Sequence, residues 1–173
     1  MKRKKSIMSG LLRSKRANAI LDGVAFIVVM FAIAIVFFVG KYTSDNVNTD
    51  IQANMDLTEQ ARNISADLNN RYVSTFDSGF VVIFFMLWLT LIIASFRVGT
   101  SPIFFAISVF AMIFVLILAA IFGNTYEELA NDPEFAAVSQ QFTLQSFIMS
   151  HLFETFMVVA FTAVLALYMQ SRI

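Results

Sequence analysis

Four long apolar runs alternate with polar stretches along this chain. The first, Gly23 to Gly40, contains no charged or strongly polar side chain. The second runs from Gly79 to Phe96, the third from Pro102 to Phe122, and the fourth from Phe147 to Met169 with a polar start at Ser150 to Glu154. Each approaches the ~20 residues that a helix needs to cross a hydrocarbon layer of about 30 Å. An unpaired peptide group is costly in hydrocarbon, and a single spanning segment can pair its own backbone only by coiling. The pattern therefore predicts an all-α, polytopic membrane protein with four transmembrane helices.

The polar stretches supply the boundaries. Gly23, Gly40, Gly79, Gly99 and Gly123 all fall at ends of the apolar runs, which predicts turns there. Residues 97–101 form a short connection, and Pro102 takes a first-turn position where its missing N–H does no harm, so the second and third spans are expected as an antiparallel hairpin. Residues 41–78 form a first outer segment. Within it Ile51, Met55, Leu57, Ala61, Ile64, Leu68 and Tyr72 recur at three- and four-residue intervals, which predicts an amphipathic helix from Asn48 to Tyr72 with Thr49 and Gln52 as its capping box. Residues 123–146 form the second outer segment, where Asn131-Asp-Pro-Glu134 predicts a short helix through Val138.

Charge sets the orientation. Residues 1–22 carry Lys2, Arg3, Lys4, Lys5, Arg13, Lys15 and Arg16 with no acid before Asp22, and such a segment stays on the cytoplasm-equivalent side. Both termini are then inside, as are Arg97 in the hairpin and Arg172 in the tail of residues 170–173. The outer segment after Gly123 has Glu127, Glu128, Asp132 and Glu134 with no base before its end. Beyond setting topology, the basic segment is a candidate contact for anionic lipid headgroups or nucleic acid, with Ile7, Leu11 and Leu12 dipping into the interface. The first run is long and lacks small residues at a cleavage site, so it is expected as a retained anchor.

Composition narrows the chemistry. The 173 residues include no cysteine and one histidine, which removes dithiol redox chemistry, thiolate metal sites and a haem held between two histidines. No ionisable residue lies in the middle of any apolar run, whereas ion-coupled transport relies on such groups. His151 and Glu154, three apart, are the nearest metal candidate, yet a metal would need further ligands from Glu127, Glu128 or Asp132. The plainer reading of the pair is a polar cap at the interface. Ser95, Ser101, Ser108 and Ser150 lack a glycine-flanked elbow and would have to share one base. Ala160, Ala163 and Ala166 give the fourth span a small-residue strip for close helix packing, within the chain or with a second one. Asn63-Ile-Ser65 matches a glycosylation sequon, a short pattern with meaning only in a secretory pathway.

Asp77-Ser-Gly-Phe80, Arg97-Val-Gly-Thr-Ser-Pro102-Ile-Phe-Phe105, Asn124-Thr-Tyr-Glu-Glu128 and Phe147-Ile-Met-Ser-His-Leu152, in this order, resemble small uncharacterised four-span membrane proteins of viruses and mobile elements. The resemblance implies a component of a virion internal membrane or a host cell membrane whose basic end faces packaged genome. It carries over no catalytic residue and no cofactor. Three functional readings follow: a non-enzymatic structural or assembly protein, partnered by lipid and by copies of itself or other membrane or capsid proteins; a holin-like or channel-like pore lined by Thr90, Ser95, Ser108 and Thr162; and a membrane enzyme with a metal at His151 and Glu154.

Overall fold

In the computed structural model, residues 18–96 and 102–170 are described. They form six helices: α1 (Asn18–Ala53), α2 (Glu59–Phe96), α3 (Pro102–Ala130), α4 (Ala136–Ser139), α5 (Thr143–Ser150) and α6 (Leu152–Gln170), with no strand among the described residues. Four of them, α1, α2, α3 and α6, contain segments long and apolar enough to cross a membrane. The basic residues Lys2 to Arg16 and the 97–101 connection lie outside the described residues.

Two helices are far longer than the apolar runs inside them. With 36 and 38 residues, α1 and α2 extend about 54 and 57 Å, roughly twice the ~30 Å of a hydrocarbon core. The amphipathic helix expected over 48–72 is therefore corrected. Its first part is the end of α1, its second part is the start of α2, and the helices are separated at 54–58, where Asp56 N–H donates to Asn54 Oδ1 and Ala61 N–H to Thr58 Oγ1. Thr49 and Gln52 form no capping box. The Thr49 hydroxyl donates to Asp45 O inside α1, and Gln52 Nε2 reaches across to Arg62 O at 2.8 Å.

The glycines also differ from expectation. Gly23, Gly40, Gly79 and Gly123 sit inside helices, and none of the described glycines has a positive φ. At Gly40 the reason is close approach: a Cβ there would collide with the Tyr72 hydroxyl, so glycine lets the α2 tyrosine lie against α1.

The second outer segment follows its expected outline with a shifted start. Asp132 Oδ1 accepts the Glu134 N–H in a tight turn over Pro133, and the helix α4 begins at Ala136. The fourth span begins later than Phe147: α5 ends at Ser150, and His151 (φ −109°, ψ 33°) breaks the helix before α6 starts at Leu152.

The chain divides into two compact units. Among the described residues, one contains 18–29, 85–96, 102–122 and 152–170; the other contains Met30–Phe84 and Gly123–His151. In the first unit most of the interior is apolar, with Ile27, Leu91, Val115, Phe156, Val159 and Leu167 all buried, and Ser95 and Ser108 are buried as well. Phe26 packs on Phe156 with ring centroids 5.3 Å apart, and Trp88 Nε1 donates to Thr162 Oγ1 at 2.9 Å. In the second unit Phe38 is fully buried between Tyr126 and Phe142, with centroids at 5.2 and 5.7 Å.

Candidate functional site: a buried polar network

One face of α1 in the second unit reads Ala34, Phe38, Lys41, Asp45, Asn48 and Gln52, buried at its start and exposed at Gln52, spaced four and three residues apart as in a helix seam. Midway the seam changes from apolar to polar. The facing positions on α2 are Arg62, Ser65 and Asn69, so polar groups meet polar groups.

Asn69 is the hub of this ladder. Its Oδ1 accepts from Lys41 Nζ at 3.1 Å and from Ser44 Oγ at 2.7 Å, while its Nδ2 donates to Asp45 Oδ1 at 2.8 Å. Lys41 is almost fully buried, and its ammonium also donates to Asp45 Oδ1 at 2.7 Å and to Asn69 O at 3.3 Å. A buried ammonium is tolerated only when paired and hydrogen-bonded, and here every direction it can donate is filled. One turn further out the Ser65 hydroxyl donates to Asn48 Oδ1 at 2.9 Å.

A second cluster is built around α5. Asp77, buried on α2, accepts the Leu144 N–H at 3.0 Å and the Gln145 N–H at 2.7 Å. Those two amides belong to the first turn of α5, whose own N-cap, Phe142, offers no side-chain acceptor. A carboxylate from a distant helix thus caps α5 and sits at its positive end. From there the bonds run on. Gln145 Nε2 donates to Ala34 O at 3.2 Å and to Tyr126 Oη at 3.4 Å, the Tyr126 and Ser146 hydroxyls pair at 3.0 Å, and Ser146 Oγ donates to Ser139 O at 3.1 Å. Ser139 Oγ in turn donates to Ala130 O at 2.8 Å. Among the described residues, Gln145 Oε1 and Arg62 Nε are buried without a partner.

Chemically this network joins helices. Both Asp77 oxygens are occupied by peptide N–H groups, and the lysine is held by Asp45 and Asn69. Sequence reasoning missed Asp77, Gln145 and Tyr126 as partners. The seam spacing from Ala34 to Gln52 was the one available signal for the ladder.

The residues singled out from sequence are scattered. Ala160, Ala163 and Ala166 are buried within the chain, on the same face of α6 as Phe156 and Val159. His151 is exposed, stacked on Phe147 at 4.8 Å, with Nδ1 3.0 Å from Phe147 O. The helix break at His151 removes the shared helical face that paired it with Glu154, and no group of three or more His, Asp or Glu among the described residues is placed to hold a metal ion. The hydroxyls of Thr90 and Ser95 donate to Met86 O and Leu91 O of their own helix, and Thr162 donates to Val159 O.

Fold and network together define an all-helical chain with four helices long enough and apolar enough to cross a membrane, two of them extended well past that length. No family model, curated protein or solved structure matches it.

Proposed function

We propose that the chain is a non-enzymatic, integral membrane structural or assembly protein, spanning a cell membrane or virion internal membrane four times with both termini inside. The observation that carries this reading is how the polar groups are used. Inside the apolar stretches Thr90, Ser95 and Thr162 are satisfied by their own helix carbonyls, while Val36, Val82, Met86, Phe110, Phe114 and Phe161 face outward. An outward surface of that kind suits lipid. Just past the ends of the apolar runs, Lys41, Asp77, Tyr126 and Gln145 are spent on holding helices together.

On this reading α1 and α2 project from the outer face as a polar-seamed helical hairpin, a form suited to reaching a partner. The resemblance to small viral membrane proteins supports a place in a virion membrane, with the basic residues Lys2 to Arg16 turned toward lipid headgroups or nucleic acid. Liposomes loaded with a small dye separate this from the pore reading. The reconstituted protein is expected to leave the dye trapped, and size-limited leakage at low protein content would overturn the structural reading.

A further inference from the structure

Asp22 precedes the first apolar run in the sequence, yet the helices packed around it in the first unit set it level with the middle of their own apolar runs. A Cβ on its neighbour Gly23 would meet Val115, which is about 20 Å of helix from Pro102 at one end of the α3 run and about 10 Å from Phe122 at the other. Phe26 packs on Phe156. With α1 and α6 running in opposite directions, Asp22 is level with a point one turn beyond Phe156, about 15 Å short of Gln170. On α2 it shares a groove with Leu87, Thr90 and Leu91, and Thr90 is about 9 Å short of Phe96. The carboxylate therefore lies roughly 10–20 Å from the inner edge of the apolar layer, near the middle of a ~30 Å core. It has no hydrogen-bond or ion-pair partner among the described residues. The other charged side chain described in this unit is Glu154, near the opposite end of α6, and none is basic.

The groove has a volume of about 180 Å³, with Ala25, Val29, Leu87 and Leu91 as walls and Asp22 and Thr90 as its polar groups. The Thr90 hydroxyl is already donated to Met86 O, so the charge the groove offers a ligand is that of Asp22. We propose that this groove binds a lipophilic organic cation, its nitrogen against the Asp22 carboxylate and its apolar body between α1 and α2; the inference rests on the membrane-spanning reading above. An ionisable side chain at this depth is costly and calls for a partner. A lipid chain fills the groove and leaves the carboxylate alone. A hard metal ion takes six or more oxygens, whereas the groove supplies one carboxylate and one hydroxyl. An organic cation meets both halves: opposite charges pair where the low dielectric strengthens them, and apolar surface meets apolar walls. The volume suits one aromatic ring with a small substituent, since a cavity of roughly 150 Å³ holds benzene.

Trp88, the single tryptophan of the chain, follows Leu87 in the groove wall and serves as the reporter. The full chain in phosphatidylcholine vesicles is titrated with N-butylpyridinium, whose ring quenches indole fluorescence on contact. Saturable quenching is expected for the unsubstituted chain, with affinity at least about tenfold weaker in Asp22→Asn and largely retained in Asp22→Glu. Ala25→Phe fills the groove while keeping the acid, and is expected to weaken binding as strongly. Butylbenzene, of the same shape without the charge, is expected to compete poorly. Absence of saturable quenching, equal affinity in Asp22→Asn, or displacement of the pyridinium by millimolar calcium would overturn the proposal. Quenching of Trp88 by lipids spin-labelled at different depths reports separately on insertion. Trp88 reached by mid-chain labels without cation binding refutes the groove alone, whereas Trp88 reached only by headgroup labels refutes the spanning reading.

Discussion

In the first unit helices meet through Phe26, Ile27, Val115 and Phe156, and the hydroxyls of Thr90, Ser95 and Thr162 donate to their own helix, with Trp88 donating across to Thr162. In the second unit α1 and α2 meet through Lys41, Asp45 and Asn69, and α5 is held by a carboxylate on α2. On the membrane-spanning reading, the difference follows from the solvent outside. Where the surroundings are apolar, burial of apolar surface offers little preference for one neighbour over another, and fit decides. Where helices leave the apolar layer, directional hydrogen bonds fix which residue faces which, as one polar seam position fixes register in a coiled coil.

Substitutions in each unit sharpen this contrast. The largest expected effect is in the apolar unit: Phe156→Ala removes a fully buried ring and should cost about 3–5 kcal/mol, read as a lowered midpoint in denaturant titration in mild detergent. Next comes Asp77→Ala, which orphans the Leu144 and Gln145 amides and should cost about 2–4 kcal/mol. Its signature is local. Hydrogen exchange should accelerate at the first turn of α5 before the first unit is affected, and Asp77→Asn, which keeps one acceptor, should lose about half as much. Asn69→Ala strips three side-chain bonds from the ladder and should cost about 1–3 kcal/mol, coupled to Ser44→Ala in a double-mutant cycle. Arg71→Ala breaks an exposed pair and should change stability by less than about 0.5 kcal/mol. If Asp77→Ala instead leaves exchange at α5 unchanged, the network is not what holds the second unit.

The apolar stretches of the four long helices were legible in the sequence because some twenty consecutive apolar residues point to a helix able to cross hydrocarbon. Pro102 likewise marked the start of α3. The continuation of the helices through Gly40 and Gly79 was not legible. There a glycine beside a polar residue suggested a turn, while the four-and-three spacing that carries α1 on to Gln52 is built of Lys, Asp, Asn and Gln and leaves no apolar trace. Ile51 and Tyr72 kept the right helical period for the wrong element. The Asp77 cap was out of reach for a different reason. Asp77 and Gln145 are 68 residues apart, and only the packed fold brings a carboxylate to an N-terminus that has no local cap. His151 illustrates the reverse error, since spacing alone gave it a helical face shared with Glu154 that the break after Ser150 removes.

The account rests on the apolar runs crossing a bilayer with the α1–α2 hairpin on the outer side. Single cysteines at Ser6, Thr58, Thr100, Thr125 and Ser171, probed with a membrane-impermeant maleimide on intact, oriented vesicles, test it most directly. Labelling is expected at Thr58 and Thr125 alone, with the other three reacting once the vesicles are permeabilised. Equal labelling of Thr100 and Thr58 before permeabilisation, or recovery of the chain as a dispersed monomer in detergent-free buffer, would contradict it.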